Sequence, residues 1–200
     1  MKPAVFGLFP TPVAIYAIDR PFTKDEDDLF MHLKTVPNVK NETSEAHRIL
    51  DNRLLAELRE RIMDSVRAYA YGILKYDESV EFYITQSWVN YTEKWQGHHE
   101  HRHQNSIISG VLYVMANEGD VIQFNDASYR QIAIKKKSHD IFNSDTWTFP
   151  VLTGQLILFP SYAMHEVPTK TTEGCRVSLS FNVFVRGMIG DASGLTELKI

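Results

Sequence analysis

Apolar and polar residues alternate with a period of two along most of the chain from Val80 to Arg186. That is the pattern of half-buried strands. It predicts strands over 80–91, 106–115, 120–124, 129–134, 146–149, 154–159 and 176–186, with turns at Asn117-Glu118-Gly119-Asp120 and Thr172-Glu173-Gly174. Upstream the period is helical. Thr23-Lys24-Asp25-Glu26 matches a capping box, Thr at the cap and Glu three later, and opens a helix running to about residue 35 with Leu29, Phe30 and Leu33 inward. The stretch 37–44 reads as a polar loop. A second helix over 51–71 carries Leu55, Leu58, Ile62, Val66 and Tyr69 as one apolar stripe, and Gly72 is its expected stop. Residues 6–18 read as an extended arm or edge strand, because Pro10 and Pro12 cannot donate to a central ladder. Short strands without interleaved helices imply a mainly β fold, an antiparallel sandwich or barrel braced by two N-terminal helices on one sheet.

The last strand shows what the two faces are for. Val177, Leu179, Phe181, Val183 and Val185 form a wholly apolar face suited to the helices. Arg176, Ser178, Ser180 and Asn182 alternate with them. In an open sandwich that polar face meets water. In a closed barrel it points into the cavity, where an arginine requires an anion, since an unpaired buried charge is very costly. The planar guanidinium matches a carboxylate in bidentate fashion.

At 200 residues the chain is long enough for one domain with a real core. We divide it into a bracing segment (1–79), a β core (80–186) and a tail (187–200). A content of 44% hydrophobic and 23% charged residues argues against disorder. A net charge of −4 provides no general attraction to nucleic acid. The single cysteine, Cys175, excludes an internal disulfide framework and fits a cytoplasmic protein. No signal peptide and no membrane span is expected.

The chemistry concentrates in His98-His99-Glu100-His101-Arg102-His103, four histidines in six residues. On a strand, His99, His101 and His103 share one face, and His98, Glu100 and Arg102 the other. Imidazoles two residues apart chelate one ion, and neutral imidazole suits Fe, Zn, Cu and Ni. His165, in Phe159-Pro160-Ser161-Tyr162-Ala163-Met164-His165, is the best distant ligand. A solvated histidine cluster is the plainer alternative. His32, His47 and His139 are isolated and expected to be bystanders, and 135–145 reads as a solvated loop or a lid.

Taken in order, His101-Arg102-His103, Ser109-Gly110-Val111-Leu112-Tyr113, Gly154-Gln155-Leu156-Ile157-Leu158-Phe159-Pro160, His165 and Arg176-Val177-Ser178 resemble the Fe(II)/2-oxoglutarate-dependent oxygenases. More narrowly, Phe9-Pro10-Thr11-Pro12 and the block His101-Arg102-His103-Gln104-Asn105-Ser106-Ile107-Ile108-Ser109-Gly110-Val111 are similar to oxygenases of marine bacteria and their phages related to prolyl 4-hydroxylases. The resemblance covers nearly the whole chain. It implies a double-stranded β-helix, a jelly-roll or cupin-like fold. It implies His101 and His165 as iron ligands, Arg176 as the clamp on the distal carboxylate of 2-oxoglutarate, and Ser178 beside it. Tyr113 is a weaker candidate for that carboxylate, and Asn90 and Asn182 are candidates for lining the pocket. It further implies Fe(II), 2-oxoglutarate and O2 as cofactor and cosubstrates. The reaction expected from it is hydroxylation of a peptide prolyl residue or a small molecule, with release of succinate and CO2. A phage-encoded chain would act in the host cytoplasm, and a homodimer stays open.

The chain departs from the common family pattern, His-x-Asp, because its third position is His103. A His98–Glu100 pair on the opposite face ranks second as ligands. Two rival functions also stay open: a cupin-like three-histidine dioxygenase, which has no use for Arg176, and a non-catalytic metal-binding β-module, which leaves the polar face of the last strand unexplained.

Overall fold

The computed structural model describes residues 3–126, 128, 132 and 134–200. In chain order these form β1 (Ala14–Ala17), α1 (Lys24–Met31), β2 (Thr35–Pro37), β3 (Glu42–Ser44), α2 (Ala56–Arg67), β4 (Glu81–Thr92) and β5 (His98–His101). There follow β6 (Ile108–Met115), β7 (Val121–Asn125), β8 (Thr146–Pro150), β9 (Gln155–Pro160), β10 (Met164–Val167) and β11 (Arg176–Arg186). Two short strands, β12 (Met188–Ile189) and β13 (Leu198–Lys199), pair as a ribbon in the tail. The larger sheet has the order β1-β9-β6-β11-β4-β3-β2, and the smaller one β5-β10-β7-β8. Every pairing between these strands is antiparallel. Two facing antiparallel sheets, the larger with a helix-covered outer face, give the double-stranded β-helix that the resemblance implies.

The alternation of β11 explains the layering. Val177, Leu179, Phe181, Val183 and Val185 join the helix stripe Leu58, Ile62, Val66 and Tyr69 in one buried core. Burying a side chain of this size contributes about 1.5–3 kcal/mol. Gly110 on β6 lies opposite Phe181, and a Cβ there would stand 2.1 Å from the Phe181 ring. Only glycine lets that ring cross the strand. Inside the sandwich Tyr113, Ile122, Val151, Ile157, Phe159 and Ala163 form a second, smaller core. The polar face of β11 looks into the remaining space between the sheets.

The bracing segment differs from the sequence reading in three places. Helix α1 ends at Met31, and residues 35–44 form the β2–β3 hairpin in place of helix end and loop. β3 adds to the free edge of β4, Glu42 opposite Tyr91 and Thr43 opposite Asn90, a long-range pairing with no local signature. The second helix begins as 3-10 turns over Ile49–Asp51 and Arg53–Leu55 and ends as a π segment over Ala68–Ile73. Gly72 therefore lies inside the π segment and does not stop the helix. The arm pairs through Ala14–Ala17 alone, against β9 at the sheet edge, with Pro10 and Pro12 outside the ladder. Of the strand expected over 129–134, residues 129–131 and 133 lie outside the described residues, and 135–145 is irregular and largely exposed. Among the described residues no helix is long and apolar enough to cross a membrane.

Candidate active site

A cavity opens between the two sheets, lined by histidines at one end and Arg176 at the other. The smaller sheet lends it His101 from β5 and His165 from β10, which face each other in register. His103 follows the end of β5, where its backbone N–H donates to Ser161 O at 3.0 Å. One ligand nitrogen from each of His101, His103 and His165 lies within 4.8 Å of the others. Ring centroids are 4.3 Å apart for His101 and His165 and 5.1 Å for His101 and His103.

The outer nitrogens settle the tautomers. His101 Nδ1 donates to His99 O at 2.8 Å, His165 Nδ1 to Ala163 O at 2.9 Å and His103 Nδ1 to Asn182 Oδ1 at 2.5 Å. An oxygen acceptor opposite each Nδ1 puts the proton there and leaves Nε2 a bare lone pair. His101 Nε2 and His103 Nε2 stand 3.2 Å apart. Two lone pairs at that distance repel unless a cation lies between them. Adjacent ligands each ~2.1 Å from an ion sit about 3 Å apart, so the donor set fits a transition metal. Burial pushes His101 down to about 4 and His165 to about 3, and it lowers His103 too. The rings are therefore neutral at neutral pH, the form that ligates.

Behind His103 runs a chain of small polar groups. Asn182 Oδ1 also accepts from Ser109 Oγ at 3.2 Å, and Ser109, Ser161 and Ser106 follow hydroxyl to hydroxyl at 2.8 Å. Asn182 thus holds a ring and is not among the residues lining the cavity, a correction to its expected place. Trp88 stacks on His103 at 5.7 Å between centroids. The sequence reading passed over Trp88, although its parity with Asn90 on β4 would have placed it.

At the other end of the cavity lies Arg176, 2% exposed. Its Nη1 donates to Val121 O at 3.1 Å and its Nη2 to Thr92 Oγ1 at 3.4 Å, while Nε has no partner. Among the described residues no carboxylate pairs with it. A buried guanidinium held from behind and open toward a cavity is a site for an anion. Ser178, Ser180, Asn90 and Tyr113 line the same space. Asn90 Nδ2 donates to Ser180 Oγ at 3.1 Å, and burial pushes the Tyr113 hydroxyl up to about 12, so it stays a neutral donor.

Strand parity misplaced His98. It lines the cavity together with His101, although both faces were to be shared out by alternation. The cause is a bulge: His101 pairs with His165 and His98 with Val167, three steps on β5 against two on β10. His98, His99 and His101 also form a second close cluster. Glu100 stays exposed and accepts from Asn125 Nδ2, so the His98–Glu100 pair does not form a site. The cavity does hold a carboxylate, Glu166, but the Gln123 and Asn125 amides engage it, at 2.8 and 3.2 Å. The close clusters among the described residues contain histidine alone. His32, His47 and His139 are exposed and away from the cavity.

Residues 86–182 match the family model "Putative 2OG-Fe(II) oxygenase". That stretch holds His98, His99, His101, His103, His165 and Arg176. Among curated proteins no sequence matches. Among solved structures the chain is similar to an oxidoreductase of the 2OG-Fe(II) oxygenase family from Burkholderia pseudomallei (TM-score 0.59, 15% identity, covering 86% of this chain and 83% of that one). It is also similar to HygX from Streptomyces hygroscopicus, solved with nickel and 2-oxoglutarate bound (TM-score 0.58, 13% identity, 86% and 82% covered). A Pseudomonas putida prolyl-4-hydroxylase is a further likeness (TM-score 0.52, 15% identity, 85% and 91% covered). At these identities the structures speak for the fold, and the sequence match speaks for the segment 86–182. Over residues 86–182 the chain is similar to the Fe(II)- and 2-oxoglutarate-dependent oxygenases, and its fold is like that of solved members of that family.

Proposed function

We propose that His101, His103 and His165 hold the Fe(II), that Arg176 with Ser178 binds the distal carboxylate of 2-oxoglutarate, and that the chain hydroxylates a peptide prolyl residue or a small molecule. The observation that carries this is the pairing of two unmet demands in one cavity. One ligand nitrogen from each of three histidines lies within 4.8 Å of the others, and among the described residues no carboxylate pairs with the buried Arg176 guanidinium. A metal chelated by one end of a dicarboxylate meets both. When bound, Fe(II) with 2-oxoglutarate and O2 supplies the oxidising chemistry, giving succinate, CO2 and an oxygen atom inserted into a substrate C–H bond.

The chain's own residues do the rest. Asn182 and the backbone carbonyls of His99 and Ala163 fix the three rings. Val121 O and Thr92 Oγ1 fix the guanidinium plane before the carboxylate arrives. Phe159 and Phe124 pack on His165 and keep water from that side, at centroid distances of 4.7 and 6.0 Å. The P. putida likeness favours a prolyl substrate, while HygX has been solved with hygromycin B bound, which favours a small molecule.

Anaerobic titration with Fe(II), with and without 2-oxoglutarate, tests the assignment. The weak visible charge-transfer band of the chelate is expected only when both are present. Its absence from iron-loaded wild type would overturn the proposal and favour a three-histidine dioxygenase that takes no 2-oxoglutarate, the reading that the all-histidine donor set otherwise supports.

A further inference from the structure

The β2–β3 hairpin precedes the stretch that matches the family, yet its turn forms part of the cavity wall. Asn41 lines the cavity and is 5% exposed. Both of its side-chain amide atoms are buried without a partner. An amide can be turned end for end, but with both atoms unpartnered Asn41 presents one donor and one acceptor either way. Leaving them unmet is costly, so the site implies a ligand.

The hairpin register says where along the cavity this amide sits. Thr43 lies opposite Asn90 and Glu42 opposite Tyr91, so Asn41 comes level with Thr92. Thr92 pairs with Arg176 in the next strand and accepts from its guanidinium. Asn41 therefore stands at the arginine end of the cavity and not at the histidine end. The turn is also fixed. Asn38 N–H donates to Asn41 O at 2.8 Å, Gly97 N–H to Lys40 O at 3.2 Å, and the Asn38 amide lies 3.4 Å from His98 Nε2.

We infer that Asn41 is a further cosubstrate-binding residue, donating its amide N–H to the distal carboxylate held by Arg176. The inference depends on the proposed 2-oxoglutarate site. A carboxylate has about four lone-pair positions. The guanidinium fork takes two and the Ser178 hydroxyl a third, which leaves one for the amide. The acceptor end of Asn41 is then free for water or substrate. The hairpin thereby selects a dicarboxylate over a 2-oxo acid with an apolar tail.

The test is isothermal titration of 2-oxoglutarate and of 2-oxopentanoate, which keeps the chelating end but lacks the distal carboxylate. Both are run anaerobically on Fe(II)-loaded wild type, Asn41→Ala and Asn41→Asp, with iron stoichiometry and thermal unfolding measured on each. Asn41→Ala is expected to bind 2-oxoglutarate about ten- to a hundredfold more weakly with unchanged iron content. Asn41→Asp is expected to be weaker still, because two carboxylates would face each other. Both variants are expected to match wild type for 2-oxopentanoate. Equal 2-oxoglutarate affinity in wild type and Asn41→Ala would overturn the role of Asn41 alone. So would an equal loss for both oxo acids, which would place Asn41 on the shape of the cavity and not on the carboxylate. Wild type that binds no 2-oxoglutarate would overturn the role together with the proposed function.

Discussion

His103 is held less directly than its two neighbours. The Nδ1 atoms of His101 and His165 donate to backbone carbonyls two residues away, contacts that come with the local chain path. His103 donates to a side chain from the far strand β11, and that side chain is steadied in turn by Ser109. Ser106 and Ser109, which the sequence offers only as letters in a motif, so acquire a physical role behind the third ring. Asn182→Ala removes the acceptor and frees the ring to rotate. It is expected to weaken metal binding about ten- to a hundredfold, read by competition with a chromogenic chelator. Asn182→Asp keeps an acceptor oxygen and is expected to hold affinity near wild type. If Asn182→Ala binds metal as tightly as wild type, His103 is not positioned through Asn182. The same rings set a pH dependence. Their ordinary value is 6.5, and folding lowers His101 to about 4 and His165 to about 3, chiefly by burial. Below about 6.5 the unfolded chain takes up protons that the folded one does not, so metal-free stability falls as pH drops through that value toward 4. Above 6.5 the contribution is fully present. Denaturant midpoints of the metal-free protein at pH 5.0 and 7.5 check this, and a midpoint that rises on acidification would contradict it. That His101 faces His165 was legible, because one strand pair and one distant histidine suffice. That Asn182 serves His103 was not, since parity gives a face but not a partner.

Among the elements, the core strands were legible and the joints were not. β11 shows its two faces in its own alternation, and its bounds match the reading from sequence. β5 defeated parity because one extra residue turns His98 inward, and a bulge leaves no mark on so short a run. The β2–β3 hairpin was missed for the reason that edges usually are: β3 is a strand only because β4 offers it a ladder. At the other end of the brace, the local code held. The Thr23 hydroxyl accepts from the Glu26 N–H, and the Glu26 carboxylate accepts from the Thr23 N–H at 2.8 Å. That carboxylate is buried and takes both Arg20 Nη atoms, at 2.6 and 2.7 Å, so the cap also ties the arm to α1. Burial works against its charge, but the Arg20 and Thr23 hydrogen bonds prevail and keep it below the ordinary carboxylate range. Glu26→Gln leaves the guanidinium only the exposed Glu57, 3.3 Å from its Nε, and is expected to cost about 1–3 kcal/mol in denaturant unfolding at pH 7. The difference from wild type should shrink as pH falls below the ordinary glutamate value, where unfolded Glu26 would already be protonated. A constant difference down to strongly acid pH would separate the cost from the charge.

For the whole molecule, two of the proposed metal ligands and the proposed carboxylate clamp belong to different sheets. His101 and His165 belong to the smaller sheet, and Arg176 is the first residue of β11 at the centre of the larger one. A dicarboxylate bound as proposed, chelated at one end and clamped at the other, would tie one sheet to the other across the cavity. In the proposed site, metal alone engages the histidine end, and the cosubstrate reaches Arg176 on the second sheet. This layout makes global stability a readout of the clamp. At a 2-oxoglutarate concentration of 100 times Kd, iron-loaded wild type gains about 2.7 kcal/mol against unfolding. For a chain of this length that is a rise in Tm of roughly 5–10 °C. Removing the fork by Arg176→Met takes away a charge-assisted pair that is about 2–5 kcal/mol in affinity when one partner is left alone. At the same concentration the variant should then gain less than about 1 kcal/mol, and its Tm should barely move. Arg176→Lys, which keeps the charge but loses the planar fork, should fall between. The shift that Fe(II) alone produces should be the same in all three proteins, because none of the variants touches a histidine. Anaerobic differential scanning fluorimetry with metal, then with metal and 2-oxoglutarate, reads all of these shifts in one series. An undiminished 2-oxoglutarate shift in Arg176→Met would mean that the dicarboxylate does not bridge the sheets through this arginine.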